Sequence, residues 1–340
     1  MKDNQTYTVT VASNGQTFEV QPEETILDAA IRAGVNLSYG CRNGTCGTCA
    51  ATILEGETGY AGREPRAVRQ GKVEAGKVLL CSARPLSDLR IDAVVLDEEA
   101  IPAKIFPARV EALEKLSHDV MLVKLKLPET NRMQFLAGQY IEILLPGGRR
   151  RAFSVANAPH DDEFLTLHIR EVPGGYFTHQ VFHEMKPGTL LRIEGPHGGF
   201  YLREDSTRPI IMMAGGTGFG PCKAMIEHAI EIRLDRPVEL FWGVRDVPDL
   251  YMREHAEQWA SEHDWIDFIT VLSEPGADSE WSGQTGWVHE AVVAAHPDLS
   301  AFDVYMCGPP PMIEAGRKTF ESHGLPEAQL FFDSFDFSES

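Results

Sequence analysis

Three cysteines within nine residues, Cys41, Cys46 and Cys49, constrain this 340-residue chain more than any other feature. Four residues separate the first pair and two the second, and a fourth cysteine follows in Leu79-Leu80-Cys81-Ser82. The opening Met1-Lys2-Asp3-Asn4-Gln5 lacks the apolar core of a secretory signal, so the expected compartment is the reducing cytoplasm. There, clustered cysteines argue for metal rather than disulfides. Ligands this close must lie on a loop that wraps what they bind, and Gly40, Gly44 and Gly47 permit the tight turns it needs. A four-cysteine zinc site is the competing reading, but zinc sites usually use paired two-residue spacings and only one such pair exists here. The spacing favours two irons held by four thiolates.

Around that loop the first 95 residues read as a small domain. Tyr7, Val9 and Val11 alternate, Asn14-Gly15 turns, and Thr17-Phe18-Glu19-Val20 returns, which predicts a hairpin. Glu24–Gly34 has helical spacing and stops at a glycine, and a strand is expected over Ala50–Leu54. Residues 96–102, charged and broken by Pro102, read as a linker. From 103 to 204 short alternating segments recur: Ala108–Leu113, Val120–Lys126, Tyr140–Leu145, Phe164–Arg170 and Leu190–Glu194. Glycine and proline turns separate them, the pattern of an antiparallel β-barrel. From 205 to 340 the style changes. Pro209–Ala214 runs into glycines and then a helical stretch, Cys222–Arg233, and the apolar runs Val238–Trp242, Ile266–Leu272 and Val304–Met306 follow. That alternation predicts an α/β domain with a parallel sheet.

The formal charge of −19 narrows the partners. It is concentrated in residues 203–340, with 9 Lys/Arg against 25 Asp/Glu, and reads as a solvated acidic surface. No basic stretch offers a footprint for nucleic acid, and no apolar run reaches the ~18 residues of a membrane span.

Three further motifs carry chemistry. Arg151-Ala152-Phe153-Ser154 and Gly174-Gly175-Tyr176-Phe177-Thr178 each follow a predicted strand. Ala214-Gly215-Gly216-Thr217-Gly218-Phe219-Gly220-Pro221 lies between a strand and a helix, where backbone amides can approach a pyrophosphate. Cys307-Gly308-Pro309 follows the late strand, and Asp333-Ser334-Phe335 lies near the end. Cys222 matches no motif and reads as a buried core thiol.

The cysteine loop resembles plant-type 2Fe–2S ferredoxins. The later motifs resemble the ferredoxin–NADP reductase superfamily, with Phe153 where that family usually has Tyr. The resemblance implies a multidomain chain: a β-grasp ferredoxin (1–95), a flavin-binding barrel (103–204) and a nicotinamide-binding α/β domain (205–340). It implies that Cys41, Cys46, Cys49 and Cys81 ligate the cluster. Arg151, Phe153, Ser154, Gly175, Tyr176, Phe177, Thr178 and Phe335 would contact the flavin, FAD rather than FMN. Gly216, Thr217, Gly218, Asp246, Cys307, Gly308 and Pro309 would contact the dinucleotide. Ser154, Cys307 and Asp333 would act at the reacting centre, with Phe331, Phe332 and Phe337 as competitors for the place of Phe335.

In NADP-specific relatives an Arg follows the Ser that grips the extra phosphate. Here the stretch is Ser273-Glu274-Pro275, and Gly243-Val244-Arg245-Asp246 adds one Arg and one Asp, so NADH is expected over NADPH. The domain order resembles the reductase components of bacterial oxygenases, which implies electron flow from NADH through FAD and the cluster to a terminal oxygenase. The reductase of a deoxysugar dehydratase system, of the CDP-6-deoxyglucoseen reductase kind, is the alternative acceptor reading. A non-enzymatic redox sensor is the remote one, and no output domain is left over to serve it.

Overall fold

A computed structural model describes residues 6–96, 101–276 and 280–335. The chain divides into two units: the described part of Met1–Lys104 with Gly195–Gly199, and Ile105–Glu194 with Phe200–Phe335. The linker expected at 96–102 lies mostly outside the described residues.

In the first unit the alternating stretch forms the antiparallel hairpin Tyr7–Val11 and Thr17–Val20. The strand Leu89–Asp92 pairs parallel to the first of these, and Ala50–Glu55 and Lys77–Leu79 complete a five-stranded sheet. The helix Ile26–Ala33 covers it. Thr25 caps the helix by accepting from the Asp28 amide, and Gly34 ends it in the left-handed conformation (φ 74°). Val9, Val11, Val20, Ile26, Leu27 and Ile91 form the sealed interior.

The second unit holds the two regions read from the sequence as barrel and α/β layers. Six antiparallel strands run in the order Arg150–Ser154, Tyr140–Leu144, Leu190–His197, Lys104–Lys115, Val120–Lys126 and Leu165–Arg170. A bridge between Val155 and Leu167 joins the two outer strands and closes the barrel. Its interior is filled by Val110, Val123, Leu125, Ile141, Leu167 and Ile193. A parallel sheet follows, in the order Gln284–Thr285, Ile266–Leu272, Val238–Val244, Ile210–Gly215, Asp303–Gly308 and Leu330–Ser334. Its central strand Ile210–Gly215 is apolar throughout because both faces are covered. Ile210, Met212 and Ala214 face one core and Ile211 and Met213 the other.

Small shifts separate expectation from structure. The helix expected from Cys222 starts at Phe219 and ends at Glu231. Pro221 does not bar the earlier start, because proline is tolerated in a helix's first turn where no amide is required. The strand Val238–Val244 runs on through Gly243, and Leu190–His197 continues past Glu194.

Candidate functional site

In the first unit the cysteine loop is built backward on itself. Gly44 (φ 78°) and Gly47 (φ 91°) hold the left-handed turns, and a side chain on Gly44 would fall 2.9 Å from Ser82 Oγ and 3.0 Å from Pro65 Cβ. The loop brings Cys41 and Cys46 together: the Cys46 amide donates to Cys41 Sγ (3.4 Å) and the Cys41 amide to Cys46 Sγ (3.5 Å). Pairing of Ala50 with Leu79, and the Leu80 amide on Cys49 O (3.1 Å), bring Cys81 to Cys49.

The four thiols thus stand as two neighbouring pairs, Cys41 with Cys46 and Cys49 with Cys81. Cys46 and the Thr45 hydroxyl hold Cys41 down to about 6, and Cys49 lowers Cys81, while Cys46 and Cys49 are themselves pushed up. Amide and hydroxyl donors already aimed at sulfur favour the thiolate that a metal needs. Cys46, Cys49 and Cys81 are buried, and the residues present fit a cluster of two irons.

In the second unit the flavin motifs lie at neighbouring strand ends. Ser154 closes the strand Arg150–Ser154, and its hydroxyl donates to Asp333 Oδ2 at 3.1 Å. Asp333 is fixed by register: on the parallel strand Leu330–Ser334 it stands opposite Cys307, and Ser334 opposite Gly308. One strand pairing and one hydrogen bond therefore gather Ser154, Asp333 and Cys307. Burial, then the neighbouring Asp333 and Cys222 charges, push the Cys307 thiol far up, so it stays neutral. Cys222 is also sealed in the core, where burial pushes it up to about 12.

Phe335 lies half-buried against the same core, and its amide donates to Gly308 O at 3.0 Å. Phe331 stacks on Tyr305 (4.8 Å) and Phe332 lies under Arg317 (4.8 Å), so both are engaged elsewhere; Phe337 lies outside the described residues.

Gly175 caps the helix Tyr176–His183, whose first internal bond runs from the His179 amide to Gly175 O (2.9 Å). The amides of Tyr176, Phe177 and Thr178 lie ahead of that bond and suit an anion. The Thr178 hydroxyl accepts from the Val172 amide (3.2 Å) and shapes the loop. Tyr176 is exposed with Arg149 over its ring (4.6 Å), and Phe177 is buried against Phe153 (5.5 Å). Phe153 thus packs on the barrel side without the hydroxyl that tyrosine would bring. Arg151 is half-buried and donates to Arg150 O.

The dinucleotide motifs meet backbone to backbone. A side chain on Gly218 would fall 2.0 Å from Cys307 O, and one on Gly308 (φ 149°) would fall 3.0 Å from Gly215 Cα and O. Beside this junction opens a cavity of ≈ 210 Å³ lined by Gly215, Gly216, Thr217 and Pro309. The indole of Trp242 donates to Gly216 O (2.9 Å) and fixes the turn from below. Asp246, expected at the cofactor, caps the short turn Val247–Asp249: its Oδ1 accepts from the amides of Val247 (2.8 Å) and Gly276 (3.2 Å), and like Gly218, Cys307 and Gly308 it is not among the cavity walls.

Several cavity residues carry no local sequence signal. Arg170, on a barrel strand, reaches the glycine turn: a side chain on Gly216 would lie 3.0 Å from its Nη1. Asp119 holds it at 2.6 Å. Tyr251, Trp287 and Asp249 line the same cavity, and Arg245 faces it together with Ser273. The Tyr251 hydroxyl meets His168 Nδ1 at 3.1 Å.

Comparison with known proteins matches this geometry part by part. A 2Fe-2S iron–sulfur cluster binding domain covers residues 9–86, an oxidoreductase FAD-binding domain 107–201 and an oxidoreductase NAD-binding domain 212–318. The chain is 40% identical to the CDP-6-deoxy-L-threo-D-glycero-4-hexulose-3-dehydrase reductase of Yersinia pestis, over 95% of this chain and 96% of that one. It is 37% identical to DmpP, the reductase component of phenol 2-monooxygenase from a Pseudomonas species, over 97% and 94%. Among solved structures it superposes on the Amycolatopsis cytochrome P450 reductase GcoB with a TM-score of 0.82 at 32% identity, covering 98% of this chain and 100% of that one. No helix among the described residues is long and apolar enough to cross a membrane. With its cysteine loop, flavin barrel and nucleotide sheet in this order, the chain belongs to the iron–sulfur flavoprotein reductases of the ferredoxin–NAD(P) reductase superfamily, which move electrons from reduced nicotinamide through FAD and a 2Fe–2S cluster to a protein acceptor.

Proposed function

We propose that the acceptor is the terminal oxygenase of a multicomponent oxygenase, with NADH as donor. The observation that carries the reductase chemistry is the gathering of Ser154, Asp333 and Cys307 beside the glycine turn. In this reading Cys41, Cys46, Cys49 and Cys81 hold the cluster. Arg151, Phe153, Ser154, Phe335 and the amides at 175–178 hold FAD, and Gly216, Thr217, Gly218, Cys307, Gly308 and Pro309 hold the dinucleotide. When bound, the flavin accepts electrons in pairs from a hydride donor and passes them on singly, which a one-electron cluster requires. Residues 1–95, 103–204 and 205–340 are the three corresponding domains.

The chain's own residues position and exclude. Asp333 accepts a hydrogen bond from the Ser154 hydroxyl and fixes its orientation. Cys307, held neutral by burial, adds no competing thiolate. Arg170 and the amides of the glycine turn face the place of the dinucleotide phosphates. Arg170 and Arg245 share the cavity with Asp119 and Asp249, so two negative groups offset two positive ones and a further phosphate dianion gains little there. With Glu274 after Ser273, this supports NADH; a kcat/KM ratio for NADH over NADPH at or below one refutes that preference.

A second reading, electron delivery to a deoxysugar dehydrase, is favoured by the Yersinia relatives at 40% identity. Reconstitution with oxygenase and dehydrase partners encoded near its gene decides between them. NADH-dependent turnover of the oxygenase is the expected outcome, and turnover of the dehydrase alone overturns it.

A further inference from the structure

Away from the thiols and the nucleotide cavity, one group of metal-ligating side chains stands on the barrel surface. The helix Tyr176–His183 places His179 and His183 four residues apart, hence on one face, with ring centroids 4.4 Å apart. Glu171 follows the strand Leu165–Arg170 and brings Oε1 to 2.7 Å from His183 Nε2. Glu184, at the end of the helix, has Oε1 3.9 Å from His179 Nε2. One ligand atom each from Glu171, His179 and His183 lies within 4.8 Å of the others.

A tetrahedral ion at zinc's usual 2.0–2.1 Å needs its donors about 3.4 Å apart. The two imidazoles are 60% and 52% exposed and Glu171 31%, so their torsions can close that gap without moving backbone. Another cluster with such groups, His118, Asp119 and Asp249, is a poorer site for a cation, because Arg170 already sits on Asp119 at 2.6 Å.

We propose that Glu171, His179 and His183 form a site for one divalent transition-metal ion of the zinc class, with Glu184 or water completing the coordination. Two imidazoles and a carboxylate select zinc, nickel or copper over magnesium and calcium, which prefer all-oxygen sites. The ion replaces the Glu171–His183 hydrogen bond and ties the end of a barrel strand to the last turn of the helix. The site is independent of the flavin assignment, since none of its ligands is a flavin or nucleotide residue.

The test is calorimetric titration of tag-free protein, loaded with cluster and flavin, with ZnCl₂ and separately with MgCl₂. The expected result is one zinc per chain, no magnesium uptake at the same concentrations, and an unchanged cluster absorption spectrum. His179→Ala and His183→Gln should each weaken zinc at least tenfold and abolish its stabilisation of the protein against heat. His118→Ala should leave the isotherm as it is. Zinc uptake unchanged in both His179→Ala and His183→Gln overturns the proposal. So does zinc uptake that bleaches the cluster in step, since the cysteines would then be the ligands.

Discussion

Gly218→Ala isolates how tightly the two nucleotide turns are fitted. Gly218 has helical dihedrals (φ −59°, ψ −15°), so alanine is conformationally allowed and any cost is steric. The added Cβ would lie 2.0 Å from Cys307 O, 2.6 Å from Cys307 C and 3.2 Å from the Gly308 amide nitrogen. All three are backbone atoms, so no side chain can swing aside, and the turns must part by about 1 Å to reach a tolerable contact. Overpacking of this kind costs about 1–3 kcal/mol, offset by the ~0.4–1 kcal/mol that alanine removes from unfolded-chain entropy.

The kinetic effect should be larger than the stability effect. A displacement of about 1 Å at a reacting centre costs on the order of 100-fold in rate, or about 2.7 kcal/mol in barrier. Stopped-flow reduction of the bound flavin by NADH isolates that step from onward transfer. The expected outcome is a rate lower by tens- to hundredfold with flavin content retained and Tm lowered by roughly 2–10 °C. Reduction within twofold of the parent, at unchanged Tm, would show that the two turns are not held in this contact.

Asp333→Ala removes the acceptor that fixes Ser154, and flavin reduction by NADH should slow at least about tenfold, ~1.4 kcal/mol, with flavin retained; an unchanged rate places the pair away from the reacting centre. Cys46→Ser should abolish reduction of cytochrome c while leaving NADH–ferricyanide activity, and equal loss of both with flavin still bound contradicts the electron path. Burial, reinforced by Lys223 and His255, pushes the His168 imidazole down to about 3. The folded chain therefore binds fewer protons than the unfolded chain between about pH 6.5 and 3, and stability falls as pH drops through that window, by up to about 1.4 kcal/mol per unit. His168→Gln should flatten the Tm–pH profile below about pH 6.5, and a profile parallel to the parent's refutes it.

What can be read from the chain, and what cannot, follows from the range of the interactions. The cysteine loop is legible because its spacing, glycines and nearby fourth ligand lie within 42 residues. The apolar run Ile210–Gly215 is legible because a strand covered on both faces has no polar side. Asp333 is legible as a motif, but its meeting with Ser154 needs the strand register that sets it opposite Cys307. Arg170 is not legible at all: it belongs to a barrel strand, and only tertiary packing carries it to Gly216. Arg245 and Ser273 lie 28 residues apart, so a reading that seeks an Arg next to the Ser misses the one that adjacent strands bring to the same cavity. Asp246 carries a second role that its motif does not announce, because a short carboxylate after a strand also suits a turn cap, and here it caps.

The strand Leu330–Ser334 has a further consequence for solubility. It is the outer member of the parallel sheet, and Leu330-Phe331-Phe332 is the sort of uncharged, β-prone run that recruits other chains at an open rim. Arg203 lies over Phe331 (4.9 Å) and Arg317 over Phe332 (4.8 Å), so each aromatic face is screened by a guanidinium. The barrel needs no such guard, because the Val155–Leu167 bridge leaves it without a rim. Among the sheet's two outer strands this is the one with an aromatic run, and these two arginines act as gatekeepers against aggregation as well as packing partners.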